Sequence, residues 1–208
     1  MKLLITLIFT ITFVSNYFHA SEEHSESCSN KNVPNMERNF SNTFDGTFNG
    51  KKIEYEASLK EKILYEKDNP NEPMASFFYT EYIAKSNKNR PIIFSFNGGP
   101  GSASLWLHMG VLGPKVIKVP SDASDDGSAP YKIVDNKLSP LSDADLVFID
   151  PIGTGYSRAI GCHDSEEFWG VSEDPKIIAE FIRRWINDNK RWNSPRYILG
   201  ESYGGIRG

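Results

Sequence analysis

The sequence predicts an α/β fold, and three observations carry that prediction. Two stretches of alternating polar and apolar residues precede short runs that are apolar throughout, a strong helical stripe separates the last two runs, and the final run ends in Gly200-Glu201-Ser202-Tyr203-Gly204. Alternation marks half-exposed antiparallel strands, whereas uninterrupted apolar runs suit central strands buried on both faces. A Gly-x-Ser-x-Gly after a strand is the sharp turn that lifts a serine hydroxyl clear of the end of a sheet.

Residues 1–20 read as a signal peptide. Met1-Lys2 supplies the positive start, and the apolar stretch over residues 3–14 is too short to span a bilayer comfortably. Cleavage after Ala20 fits its small side chain, although Phe18 is not small, and an uncleaved anchor is the alternative. Export places the mature protein in a secreted, periplasmic or lysosome- or vacuole-like compartment according to host, with no membrane attachment after cleavage. Residues 21–50, rich in Ser, Asn, Glu and Lys, are expected to form a loosely ordered leader, and residues 51–208 the domain. Cys28 and Cys162 are the only cysteines; they can pair in an oxidising compartment, but spacing does not decide it. Asn39-Phe40-Ser41 is a glycosylation sequon.

With 39% hydrophobic and 12% aromatic residues, the 208-residue chain can fill the core of one domain. Its net charge of −4, without a basic run, gives no footprint for nucleic acid. Two cysteines and four scattered histidines offer no metal-ligand spacing, and no pattern calls for a cofactor.

Ile53, Tyr55, Ala57 and Leu59 alternate with polar residues. After a turn at Asn69-Pro70-Asn71-Glu72-Pro73, residues 75–83 form the second strand of an antiparallel pair. Ile92-Ile93-Phe94-Ser95-Phe96 and Leu146-Val147-Phe148-Ile149 are the central strands. Next comes a helix capped by Asp174, with Pro175 in its first turn and a core-facing stripe of Ile177, Ile178, Phe181, Ile182, Trp185 and Ile186. A crossover helix between parallel strands, with a serine elbow after the fifth strand, is the N-terminal half of an α/β-hydrolase sheet. Segments 97–114 and 150–170 then lie at strand ends, where such sheets place ligands, and residues 121–130 form a solvent loop.

Acyl transfer through serine needs a nucleophile, a base, a group that orients the base, and donors for the oxyanion. Ser202 is the candidate nucleophile. The Tyr203 N–H is one expected donor, and the other comes from the loop Asn97-Gly98-Gly99-Pro100-Gly101, whose glycines let the backbone approach a substrate.

Three blocks carry a resemblance: Phe96-Asn97-Gly98-Gly99-Pro100-Gly101-Ser102-Ala103-Ser104, Leu146-Val147-Phe148-Ile149-Asp150-Pro151-Ile152-Gly153-Thr154-Gly155-Tyr156-Ser157, and Gly200-Glu201-Ser202-Tyr203-Gly204-Gly205. Together they resemble the N-terminal motifs of the serine carboxypeptidase family, α/β-hydrolases that remove single residues from peptide C-termini. The resemblance implies Gly99 and Tyr203 as oxyanion-hole donors, and Asn97, Gly98 and Glu201 as the grip on the substrate's terminal carboxylate. Two facing carboxylates cannot easily both ionise, so one should hold a proton and peptide should bind more tightly at acidic pH.

Departures from the family pattern include Ser102, where cysteine is frequent, and Ser95, where many members carry tryptophan. Phe94-Ser95-Phe96 with Trp106-Leu107-His108-Met109-Gly110 looks more like the bacterial branch. Trp106 and Tyr156 either line a pocket or simply pack. The fold places its acid and histidine after the serine, and the sequence stops six residues beyond Ser202. His108 and His163 precede it and are not assigned as the base. The expectation is therefore the N-terminal part of a carboxypeptidase, inactive by itself, with the strand before the elbow left as an apolar edge. Two alternatives remain: an esterase or acyltransferase of the same fold, since the elbow does not distinguish amide from ester, and a non-catalytic secreted fragment.

Overall fold

The alternating stretches pair as a long hairpin. In the computed structural model, which describes residues 32–86, 89–120, 122, 124 and 129–208, β2 (Lys51–Tyr65) runs antiparallel to β3 (Pro73–Ala84), with a register shift at Leu64/Tyr65. Residues 1–31, with the signal-peptide reading and Cys28, lie outside the described residues, as does most of the 121–130 loop.

The leader ends earlier than expected. Residues 39–48 form a strand, β1 (Asn39–Phe48), paired with β2 along its whole length. Only Phe48 of β1 is buried, so backbone hydrogen bonds rather than apolar burial hold it. That leaves no alternation of apolar residues to read from the sequence. Asn39 of the sequon opens this edge strand and is exposed.

The apolar runs become β4 (Ile92–Phe96), β7 (Asp145–Ile149) and β9 (Arg196–Gly200), mutually parallel. The main path is β1-β2-β3-β7-β4-β9; the two-residue β8 (Arg158–Ala159) pairs with β3, and β5 (Lys115–Ile117) with β6 (Ile133–Asp135) makes a separate hairpin. Because β1 joins the far edge, the elbow follows the sixth strand of the path rather than the fifth. β9 is the opposite edge, with Tyr197 57% and Ile198 53% exposed, the apolar edge expected there.

Strand β7 feeds both faces of the sheet, as a central strand must. Val147 and Ile149 join Phe94 and Phe96 in one core, while Leu146 and Phe148 join Phe48, Tyr55, Tyr82 and Leu107 in the other. The buried Asp145 at its start accepts from Arg90 Nε (3.1 Å), Arg191 Nη1 (2.8 Å) and the Ala84 N–H (3.1 Å), which locks the ends of three strands.

Helix α2 (Glu173–Asp188) covers the first core, and its stripe is packing surface. Ile177, Ile178, Phe181, Trp185 and Ile186 are buried. Phe181 meets Phe77 and Tyr79 at 5.1 and 5.0 Å, and Trp185 stands edge-on to Phe94 at 5.3 Å. Each such side chain contributes about 1.5–3 kcal/mol. Ser172 holds the cap position without a side-chain bond, so the expected cap, Asp174, is corrected: it turns inward to a partner far along the chain.

On the outer face of α2, hydrogen bonds from Arg183 bring the Glu180 carboxyl down to about 2, against partial burial and with help from Arg184. The folded value lies below the ordinary 4.5, so this contribution is complete above 4.5 and is lost as pH falls toward 2. The stability gap between wild type and Glu180→Gln is expected to be within about 1 kcal/mol at neutral pH and to close across that window, as read by urea denaturation.

Candidate active site

Strand β9 delivers the chain into a turn that side chains other than glycine seldom adopt. Ser202 has φ +56°, the left-handed region, and is exposed beyond the sheet end. Its flanking glycines are required by close approach. A Cβ on Gly200 would lie 2.0 Å from the Gly204 carbonyl oxygen, and one on Gly204 2.6 Å from that of Phe96. The Glu201 N–H donates to the Phe96 carbonyl (3.3 Å), and the short helix α3 (Gly204–Arg207) leads away.

The loop after β4 presses on that turn. A Cβ on Gly98 would sit 2.4 Å from the Tyr203 nitrogen, so only glycine brings the two backbones this close. Gly99 follows with φ +108°. Among the described residues, the N–H groups of Gly99 and Tyr203 donate to no backbone or side-chain acceptor.

Asn97, buried beneath the loop, is held at both ends of its amide. The Leu107 N–H donates to Oδ1 (3.0 Å), and Nδ2 donates to Glu201 Oε2 (3.1 Å). Its backbone N–H donates to Ser104 Oγ (3.3 Å), which in turn donates to the Ile149 carbonyl; the Ser104 N–H donates to Asp150 Oδ1 (2.8 Å). Burial pushes the Asp150 carboxyl up, opposed by the Ser104 N–H, and Gly155 folds against it so closely that a Cβ would lie 2.3 Å from Oδ2. All three motif blocks therefore meet at one sheet end.

Arg207, which the sequence reading missed, and Asp174, which it read as a cap, complete the support. Arg207 Nε donates to both oxygens of Asp174 (2.9 and 2.8 Å), while Nη1 donates to the Asn97 carbonyl. The guanidinium also lies 5.5 Å from the Phe96 ring and 5.4 Å from the Tyr203 ring, a cation–π arrangement that clamps loop and elbow together. An aspartate at a helix start and an arginine near a glycine pair signal nothing about each other; a contact 33 residues apart leaves no local pattern.

Other candidates fall elsewhere. Trp106 lines an apolar pocket of about 220 Å³ with Leu105, Met109, Ile117, Val119 and Tyr131, whereas Tyr156 is exposed and packs on Phe78 at 5.5 Å. His108 bonds to the Tyr82 hydroxyl, and His163 to Glu167 (2.8 Å), so neither meets Ser202. A groove of about 800 Å³ beside α2 includes His163 but no elbow residue. Cys162 is disulfide-bonded. Among the described residues no His, Cys, Asp and Glu cluster could hold a metal ion, and no helix is long and apolar enough to cross a membrane.

A mixed sheet with a strained serine turn at the end of a parallel strand, closed by a glycine loop from the neighbouring strand, defines an α/β-hydrolase fold. The serine carboxypeptidase family model matches residues 53–207, and the chain belongs to that family. It is 31% identical over 140 residues to serine carboxypeptidase-like 9 of Arabidopsis thaliana, covering 65% of this chain and 30% of that protein. Serine carboxypeptidase-like 2 of the same plant is 29% identical over 139 residues, with the same shares. Serine carboxypeptidase-like 13, also from that plant, is 31% identical over 142 residues, covering 65% and 31%. The chain thus spans about 30% of the length of these relatives.

Proposed function

We propose that the protein releases C-terminal residues from peptides through an acyl-enzyme on Ser202. Ser202 Oγ bonds to the scissile carbonyl carbon, the C–N bond breaks, the departing amine takes a proton, and water then hydrolyses the ester. The Gly99 and Tyr203 N–H groups receive the oxyanion. Asn97, Gly98 and Glu201 bind the terminal carboxylate of the substrate. No described residue is assigned as the base or as the acid that orients it.

One observation carries this reading. Beside the strained serine lie two N–H groups without partners among the described residues and an Asn97–Glu201 pair at 3.1 Å, which supports reading this strand end as oxyanion donors beside a carboxylate-binding pair. The pair favours a peptide over the ester substrates of an esterase or acyltransferase, because Glu201 and a terminal carboxylate share one proton between them. The expected result in the natural protein is a KM for a free-acid peptide that rises from acidic to neutral pH, while the matching C-terminal amide is a poor substrate throughout. A flat KM and equal use of acid and amide would leave the esterase or acyltransferase reading in its place.

The positive start and apolar stretch of residues 1–20 support export, with peptide or protein C-termini as the partner. Phe94-Ser95-Phe96 and the segment from Trp106 to Gly110 support a bacterial-type branch, although the relatives named above are plant proteins.

A further inference from the structure

His108 takes no part in the chemistry proposed above, yet both its side chain and its backbone are held. Its Nε2 lies 2.6 Å from the Tyr82 hydroxyl on β3, and its ring stacks on Phe148 of β7 with centroids 4.6 Å apart and planes 25° from parallel. Its backbone is fixed as well: the N–H donates to the Ser104 carbonyl (3.0 Å), and the carbonyl accepts from the Gly113 N–H (2.9 Å). That last bond spans five residues, the wide turn of a π-helix over His108–Leu112, which follows the three-residue α1 (Leu105–Leu107). A π turn is rare and is frequently found at functional sites.

What this anchoring controls is the residue before it. The Leu107 N–H is the donor to Asn97 Oδ1. An amide side chain is nearly symmetric in shape, so a donor fixed at one end decides which atom faces the other way. With Leu107 in place, Oδ1 is taken and Nδ2 points to Glu201. If the turn shifts, the amide loses the contact that keeps its donor end on the carboxylate site.

We infer that His108, seated on Tyr82 and Phe148, is a positioning residue that acts through the Leu107 N–H to aim the Asn97 amide at the site for the substrate's terminal carboxylate. This rests on the carboxypeptidase reading above and adds to it a residue outside the three motif blocks. Burial holds the imidazole at about 4 and pushes the Tyr82 phenol well up, so both partners are neutral at neutral pH.

The test compares a blocked dipeptide with a free C-terminal carboxylate and the same dipeptide as its amide, in the natural protein. Active sites are titrated with a fluorophosphonate, so that only competent molecules are counted. His108→Phe keeps the stacking ring and removes the bond to Tyr82; Tyr82→Phe removes the bond from the other side and leaves His108 in place. Both are expected to raise KM for the acid about tenfold, change kcat per titrated site less than about threefold, and lower the acid-to-amide preference about tenfold. His108→Gln, whose amide reaches the same hydroxyl, is expected to restore most of that preference.

A merely structural histidine would lower the titrated fraction and leave KM per active site alone. If Tyr82→Phe and His108→Phe both keep the wild-type preference, the inference is wrong while the carboxypeptidase reading survives. A wild-type enzyme that does not prefer the acid overturns that reading, and the inference with it.

Discussion

Replacing Ser202 by alanine is expected to lower kcat/KM for peptide hydrolysis by about 10,000-fold or more, with peptide binding nearly unchanged. Groups that act as a unit in acyl transfer lose most of their effect when the nucleophile goes, and what remains comes from the oxyanion donors and binding. The geometry makes this a clean experiment. Ser202 sits exposed at φ +56°, a conformation that alanine tolerates about as well as serine, and its side chain takes part in none of the hydrogen bonds described for the elbow. Alanine therefore removes a reacting atom and little structure. Steady-state kinetics with the purified natural protein, alongside equilibrium binding of a substrate peptide, measure the two quantities separately. A loss of less than tenfold would mean that another group is the nucleophile.

The second large effect is on stability. Arg207→Met should cost about 3–5 kcal/mol, because it leaves the Asp174 carboxylate buried without its cation. The side chains are only 1% and 10% exposed, the Arg207 Nε–H is shared between both Asp174 oxygens and Nη2 lies 2.8 Å from Oδ2, so solvent does little to replace the partner. The arginine also donates to the Asn97 carbonyl, which ties the pair to the loop facing the elbow. Removing both charges separates the two roles. Asp174→Leu with Arg207→Met is expected to regain most of the stability, since an apolar pair of similar size relieves the desolvation cost, but not the affinity for a free-acid peptide. Urea denaturation reads the first and KM the second. A single Arg207→Met variant within about 1 kcal/mol of wild type would show that the pair is not the clamp described here.

The parts legible in the sequence were those with a short-range cause. Apolar runs at residues 92–96 and 146–149 became central parallel strands because no polar residue could face water there, and the α2 stripe from Ile177 to Ile186 became core for the same reason. The glycines of both motif loops were legible because close backbone approach forbids a Cβ, and Gly98 against Tyr203 shows that constraint directly. The three blocks also meet at one sheet end, as their order predicts.

What stayed hidden depends on partners distant in the chain. β1 is a strand because β2 offers it a row of backbone groups, which its own Asn, Ser and Thr residues do not announce. Asp174 carries every local mark of a helix cap, yet a buried arginine 33 residues later claims it. The Tyr82–His108 contact joins β3 to a π turn, and no spacing rule connects them. Ser95, at a place where many members of the family carry tryptophan, has a buried hydroxyl without a hydrogen-bond partner among the described residues, a feature with no account in the sequence or in the packing around it.

The nucleophile is tested most directly by the site of a fluorophosphonate adduct on the natural protein, found by mass spectrometry of its proteolytic peptides. One adduct is expected, on Ser202 in the peptide running on from Gly200-Glu201, blocked by prior incubation with a free-acid peptide. A protein that hydrolyses peptides but carries the adduct on another serine, or carries none, would contradict that role for Ser202.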